Sequence, residues 1–550
     1  TDRLRGLHWD MIQQNKNRGI QFHIGEIFYY LFWITMIYAK GTGLYEGMRV
    51  YNICLVLAMG FLAVKLLLTR YSLTDLMWMV PVTLLGLWVY LHSKDQSALI
   101  LAAMVIGLKG VSLPRVFGTG LAMWGGCFVF LSLRALTGGY AGPFLVHEKL
   151  GLGPILRWSL GYTHPNVLQI TYVVISAFIL YLWNLKPGRK QWKISLLLMA
   201  GNFYVFLYSI SFTGFLLMLV LLFFNLYLSN RKRVSRIEYF LLQCVFPCSV
   251  LFSLAGPMIL DKNGPVFQFF TKLLNTRYSA TRIYLEELGV TLFGIDVPKL
   301  HGFAIDCSYT EAILSYGCIL FALIVIGCLY TIKRLTDQKR WSELAIILSL
   351  LVAGISEPFL FNTSFKNITM LLVGNCVFDW SAQLAERKKG TLLGKEIALL
   401  SGWNRSFIIP DGRLEELVCR VKEKLYAGRK KFRGITLAAG IVCMSVTAVS
   451  VQNPDSIFIG IGSTDCGERE VKYLDMQNLP EGFNSVVYEY PGPDGGMYEF
   501  EGNIITLEYV RKIVSAGVWG MAGGVCVLLM GCGLIVLGAE RKKSNSVRES

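Results

Sequence analysis

Residues 194–228 read ISLLLMAGNFYVFLYSISFTGFLLMLVLLFFNLYL, thirty-five positions without one charged side chain. Wound as a single helix, this run would measure roughly 52 Å, far more than the ~30 Å hydrocarbon core of a bilayer requires. Lys193 precedes it and Arg231 follows closely. Both basic flanks stay on one side of a membrane only if the run is two short helices joined near Ser209–Gly214, which is the expectation here. The composition of the whole chain agrees. Of 550 residues, 54% are hydrophobic and only 16% charged, with a mean hydropathy of +0.49. That balance excludes a soluble enzyme, a nucleic-acid module and a disordered chain.

Further apolar runs lie near 21–39, 50–68, 75–92, 97–113, 116–137 and 164–184, then near 237–259, 308–331, 342–361, 367–383, 434–451 and 513–538. The expected fold is therefore an all-α polytopic membrane protein of about 14 transmembrane helices. The chain opens at Thr1 without a cleavable signal pattern, so the first run is expected to be a retained span. Basic clusters occur at Arg3–Arg5, Lys16–Arg18, Lys186–Lys193, Arg231–Arg236, Lys333–Arg340, Glu386–Lys389, Arg429–Arg433 and Arg541–Lys543. All share one side if both termini are cytoplasmic, as the positive-inside rule asks. Residues 451–510, with eleven acidic and two basic side chains, then fall on the other side. The net charge of +16 is thus chiefly a topology signal, and RKRVSR at 231–236 needs no nucleic-acid partner. Most of the thirteen cysteines sit in apolar runs and no CxxC occurs, so a redox or metal role has little support.

Three regions follow. Residues 1–384 form a transmembrane core with an outer loop at 260–307. Residues 385–433 form a cytoplasmic charged helical linker, amphipathic around Leu414–Leu425. Residues 434–550 form a two-span extension carrying the acidic ectodomain 451–512, whose alternating apolar and polar residues around PGPDGG at 491–496 predict a small β-rich unit.

Outer loops are normally poor in Lys and Arg, yet 260–307 carries Lys262, Lys272, Arg277, Arg282 and Lys299, with His301. Arg277 and Arg282, five apart, point about 140° apart on one helix. A solvated helix with its arginines at lipid phosphates would account for them. So would a pocket in which planar guanidinium forks grip an anion. Arg157 and His164-Pro165-Asn166 lie where another outer loop enters a span, and His164 there reads equally as a helix cap. Asp306 opens the span after the large loop, as a site acid or as a cap. Glu357, before Pro358, sits near the outer end of a span, where an acid is costly unless paired.

Four passages resemble the O-antigen ligase and Wzy-type polysaccharide polymerase superfamily of bacterial membrane glycosyltransferases: GYTHPN at 161–166, LLNTRYSATRIYLEELGVTLFG at 273–294, DCSYTEAILSYGCIL at 306–320 and GISEPFLFN at 354–362. The resemblance spans roughly residues 20–385. It implies a GT-C-like helical fold and polymerisation of undecaprenyl-diphosphate-linked oligosaccharide repeat units on the outer face of the bacterial plasma membrane, building a capsule or related surface polysaccharide. Donor and acceptor would both be lipid-linked, with a flippase and a chain-length regulator as partners and no cofactor. No outer loop contains Asp-x-Asp. Arg277, Arg157 and Arg282 would neutralise the departing diphosphate, with Glu357 in the same site. Asp306, His301 and His164 are the candidates for the general base. Ligase members carry His where Asp306 stands, which favours the polymerase. Many relatives also place Arg after the Ser of SISFTG, where this chain has Phe212. The alternatives are ligase-type transfer of a glycan to a lipid or protein acceptor, and a lipid-linked oligosaccharide flippase or exporter. The latter fits poorly with a chain that has no internal repeat and gathers its arginines in an outer loop.

The topology has a direct check. Single cysteines placed at 231–236 in a cysteine-depleted background should resist an impermeant thiol reagent in intact cells, while one in 451–510 should react. Labelling of 231–236 from outside would overturn the arrangement.

Overall fold

The computed structural model of this protein describes residues 20–136, 144–148, 154–301 and 304–409, except 187, 230, 232, 389 and 390, together with short pieces between 434 and 524. The chain starts with strand β1 (Ile20–His23), α1 (Ile24–Gly41), α2 (Arg49–Leu68), β2 (Tyr71–Ser72), α3 (Leu73–Ser93), α4 (Ser97–Ile106) and α5 (Leu113–Leu136). A hairpin of β3 (Phe144–Glu148) and β4 (Pro154–Trp158) leads to α6 (Pro165–Asn184), α7 (Gln191–Ser209), α8 (Phe212–Ser229) and α9 (Arg236–Ile259). The large loop holds α10 (Pro265–Leu273) and α11 (Arg277–Leu288), and α12 (Ser308–Asp337), α13 (Trp341–Ala353) and α14 (Thr369–Arg387) follow. Beyond them lie β5 (Glu396–Ile397) and β6 (Ser406–Ile409). In the 451–512 region, β7 (Gly467–Glu468), β8 (Val486–Pro491) and β9 (Met497–Gly502) form an antiparallel sheet with β9 in the middle.

Seven helices among the described residues are long and apolar enough to cross a membrane: α2, α3, α5, α6, α8, α9 and α12. The protein is therefore an α-helical membrane protein. The charge-free run 194–228 is two helices, as its length demands: α7 stops at Ser209, Ile210 takes left-handed angles (φ 41, ψ 45), and α8 begins at Phe212. Two predicted spans are shorter than their apolar runs. α4 covers ten residues and α13 thirteen. The amphipathic helix expected around Leu414–Leu425 lies outside the described residues, as do most of the two last apolar runs. Within the linker, α14 runs on to Arg387, and 391–409 holds short 3-10 turns and strands.

Strand pairing and side-chain bonds define the two ends of the bundle. At one, β1 pairs with β6 and β2 with β5. Beneath these strands two buried acids fasten the helices. Glu26 accepts from Arg115, the Ser112 N–H and Tyr30, and Asp75 accepts from Lys109, Ser381 and the Ser72 N–H. Such acids survive inside a bundle only when bonded this fully. The other end is built from the start of α6, the α7–α8 joint, α11, the start of α12 and the α13–α14 connection.

Helix α12 is broken at Gly317 (φ 74, ψ 172), and the large loop passes through the break. The Cys318 N–H donates to the Thr291 carbonyl (2.9 Å) and the Ile319 N–H to Leu292 (3.3 Å), while the Leu314 carbonyl accepts from the Ile295 N–H (2.9 Å). Loop backbone thus supplies the partners that the helix loses there, which an apolar setting makes obligatory. The crossing leaves no space for side chains. A Cβ on Gly294 (φ 83) would lie 2.0 Å from the Ser315 carbonyl oxygen, and one on Gly317 would lie 2.4 Å from the Gly294 nitrogen. Gly294→Ala and Gly317→Ala should each cost on the order of 3 kcal/mol, from strained φ alone, before the clash is counted. Size-exclusion profiles in mild detergent should show aggregation or loss of both. Gly126→Ala, where a Cβ would meet nothing within 4 Å, should elute as wild type. Normal behaviour of the Gly294 and Gly317 variants would dismiss the crossing.

Candidate functional site

Helix α11 begins under strain. Asn275 and Thr276, neither a glycine, both take left-handed backbone angles (φ 51 and φ 66), a cost of roughly 1–2 kcal/mol each. Their surroundings hold them there. Tyr278 is packed among Phe252, Phe267 and Phe270, with ring centroids 5.3, 5.4 and 5.6 Å away. The Thr281 and Thr310 hydroxyls meet at 2.9 Å between α11 and α12, and the Tyr284 hydroxyl accepts from the Leu300 N–H (3.0 Å). The result is that Arg277, first residue of the helix, turns inward and is only 7% exposed.

Two acids receive it. Arg277 Nη2 lies 3.1 Å from Asp306 Oδ2 and 3.8 Å from Glu357 Oε1. Glu357 sits in the irregular connection between α13 and α14, outside the membrane-spanning helices. Thr213, opening α8, donates to its Oε1 (2.9 Å), and Ser308 donates to its main-chain carbonyl (2.5 Å). Burial pushes the Glu357 carboxyl up to about 7, against the pull of Arg277 and Thr213 in the other direction. Arg157 on β4 is buried alongside. Its Nε donates to the Ser209 carbonyl (2.8 Å) and its Nη2 to Asn166 Oδ1 (2.6 Å). Burial lowers its guanidinium to about 10; Glu357 opposes that shift and Arg277 adds to it. The three charges therefore share one electrostatic field. Arg277 Nε and Ser211 Oγ are buried with no hydrogen-bond partner among the described residues.

The sequence candidates divide accordingly. Arg277, Asp306, Glu357 and Arg157 come together, drawing on all four quoted passages, with Asn166 joining through Arg157. Asp306 is not a cap: Cys307 occupies the N-cap of α12, and the Asp306 side chain is 40% exposed beside Arg277. His164 is a cap, its Nδ1 accepting from the Asn166 N–H (3.1 Å) at the rim of the cluster. His301 lies on an exposed flank, 2.7 Å from Glu287 Oε1. Arg282 pairs with Glu286 of its own helix (2.6 Å) and braces α11 to the end of α9 through the Leu260 carbonyl (2.8 Å), pointing away from Arg277 as the helical angle between them requires.

One member has no counterpart in the sequence reading. Lys366, in FNTSFKN at 361–367, is 6% exposed with Nζ 5.6 Å from the Trp124 ring centroid. Burial pushes its ammonium down to about 7, with Glu357 acting against the shift. A lone lysine between two apolar runs was the available signal. Among the described residues no three His, Cys, Asp or Glu side chains gather as a metal-ligand set. What the arrangement offers is a partly buried cluster suited to an anion, three cations against two acids, with Asp306 as its exposed member. No protein-family model matches the chain, and it has no match among curated proteins or solved structures.

Proposed function

We propose that this protein polymerises undecaprenyl-diphosphate-linked oligosaccharide repeat units at the outer face of the bacterial plasma membrane, with arginines neutralising the leaving diphosphate. The observation that carries the reading is the inward-turned Arg277, held between Asp306 and Glu357 with Arg157 in the same field. The resemblance of the passages that meet there supplies the substrate class.

The step balances as follows. The acceptor sugar hydroxyl attacks the anomeric carbon of the donor, and the bond from that carbon to the diphosphate oxygen breaks. The hydroxyl proton passes to a carboxylate, and the polyprenyl diphosphate leaves with its charge held by guanidinium groups. At rest Arg277 pairs with Asp306. An arriving diphosphate, with more charge and a geometry suited to two parallel N–H bonds, competes for the guanidinium. That exchange frees Asp306, the exposed acid, to face the acceptor hydroxyl. Glu357 stays beneath Arg277, fixed by Thr213 and Ser308. Ligase-type transfer would use the same chemistry and differ in acceptor.

Two substitutions test the roles in vesicles supplied with lipid-linked repeat units, where polymerisation gives a ladder of products. Arg277→Lys keeps the charge and loses the fork, and activity should fall about 100-fold with membrane levels unchanged. Full activity would make Arg277 a plain surface charge.

Asp306→Asn should cost on the order of 10²–10⁴-fold in rate while donor binding persists. Near-native turnover would remove Asp306 as the base and leave His301 and His164. Failure of the wild-type chain to lengthen any lipid-linked glycan would overturn the proposal itself.

A further inference from the structure

The end of the bundle opposite the arginine site contains a cavity of about 690 Å³ that the proposed reaction does not use. It lies where the α6–α7 connection, the last turn of α8 and the α12–α13 connection meet. Lys186, Arg189 and Lys190 line it, and none has an acidic partner among the described residues. Arg189 is steadied over the Trp183 ring, 4.3 Å from its centroid. The fourth cation, Arg340, is already neutralised by Glu343 (2.5 Å) and Asp379 (3.5 Å). The cavity therefore keeps an excess of positive charge, four cations against two acids, with Lys186, Arg189 and Lys190 left free to meet an anion.

It also presents acceptors. Asn184 Oδ1, Gln191 Oε1 and Ser229 Oγ line or flank the space, buried and without a hydrogen-bond partner among the described residues. The Asn184 amide is held in place because its Nδ2 donates to Asn225 Oδ1 (2.9 Å) and Ser342 Oγ (2.8 Å). Buried acceptors of this kind are normally satisfied. The cations call for a phosphate, and the acceptors call for hydroxyl groups on the same ligand.

Two apolar stripes lead away from the cavity. On α7, Trp192 lines it, and the exposed Leu196 and Phe203 continue the same face. On α8, Leu226 lines it, and the exposed Phe223 and Leu219 continue in the opposite chain direction. α7 and α8 are antiparallel neighbours, so both stripes run along the bundle from the same opening. A free phosphate has no use for them; acyl chains do.

We propose that this cavity binds the headgroup of an anionic phospholipid bearing both a phosphate and free hydroxyls, of the phosphatidylglycerol type, with its chains along α7 and α8. Basic pockets between helices at a membrane surface select such lipids by charge. The hydroxyl acceptors and the apolar stripes add the polyol and the anchor.

The test uses the purified full chain in a mild detergent, titrated separately with phosphatidylglycerol, phosphatidylcholine, glycerol 3-phosphate and inorganic phosphate. Native mass spectrometry counts bound lipids and a thermal midpoint reports occupancy. Phosphatidylglycerol should bind saturably, one per chain, and raise the midpoint; the other three should not. The Lys186→Gln/Arg189→Gln/Lys190→Gln variant should bind it roughly 10–100-fold more weakly, with its lipid-free midpoint unchanged. Equal binding of phosphatidylcholine, or undiminished binding by the variant, would overturn the proposal. A shift reproduced by inorganic phosphate would assign the cavity to a soluble anion and overturn it too. Should the variant not purify, the four titrations of the wild type decide alone.

Discussion

The passage of loop backbone through the break in α12 is the constraint on which the arginine site depends. Without it the large loop would be held to the bundle by side-chain contacts alone. With it, the backbone of 291–295 completes a helix that Gly317 leaves open, and three main-chain bonds lock loop to helix. Each such bond contributes only about 1 kcal/mol net, but leaving the same groups unpaired inside an apolar bundle costs more. The crossing fixes the distance between α11 and the start of α12, so Thr281 meets Thr310 and Arg277 reaches Asp306. The two glycines that permit it are distant in sequence from neither passage of the resemblance: Gly294 closes one and Gly317 lies within another.

Charge balance gives the site its character. Burying Arg277 beside two acids removes all three from water, and such desolvation commonly cancels the attraction gained. Glu357 displays the outcome, because burial outweighs the neighbouring guanidinium and its carboxyl rests near neutrality. Lys366 displays the same conflict with opposite sign. Groups poised this way respond to a new charge more readily than groups held firmly in one state. An incoming dianion would find cations whose present partners are weak competitors.

Much of this was legible in the amino-acid sequence because membrane insertion writes itself into composition. The long charge-free run had to fold back, and it does so at Ile210. The spacing of Arg277 and Arg282 required them to diverge, and one turns inward while the other braces α9. His-Pro-Asn announced a helix start, and His164 caps it. Other features were hidden for physical reasons. Asp306 and Cys307 are adjacent, and only the local backbone decides which becomes the cap. His301 stands five residues before Asp306, yet its left-handed backbone (φ 50) helps send the ring to Glu287 on an outer flank. Lys366 becomes part of the site through tertiary burial, which no local pattern records. The strands within 391–409 exist only because β1 and β2 offer edges far away in the chain.

That last pairing bears on how the molecule is made. Strand β1 emerges ahead of the core helices, but its partner β6 follows the last of them, in the register Ile20 to Ile409. The Ile24 N–H and the Gly25 N–H likewise wait for Arg405 and Asn404. During synthesis these edges stay open while helix after helix enters the bilayer, and a long apolar edge would invite pairing with other chains. At four residues β1 is too short to be a strong template. The clasp therefore closes last, as a record that the whole core is in place, and a ribosome halted before residue 396 would leave a set of inserted helices with neither seam sewn.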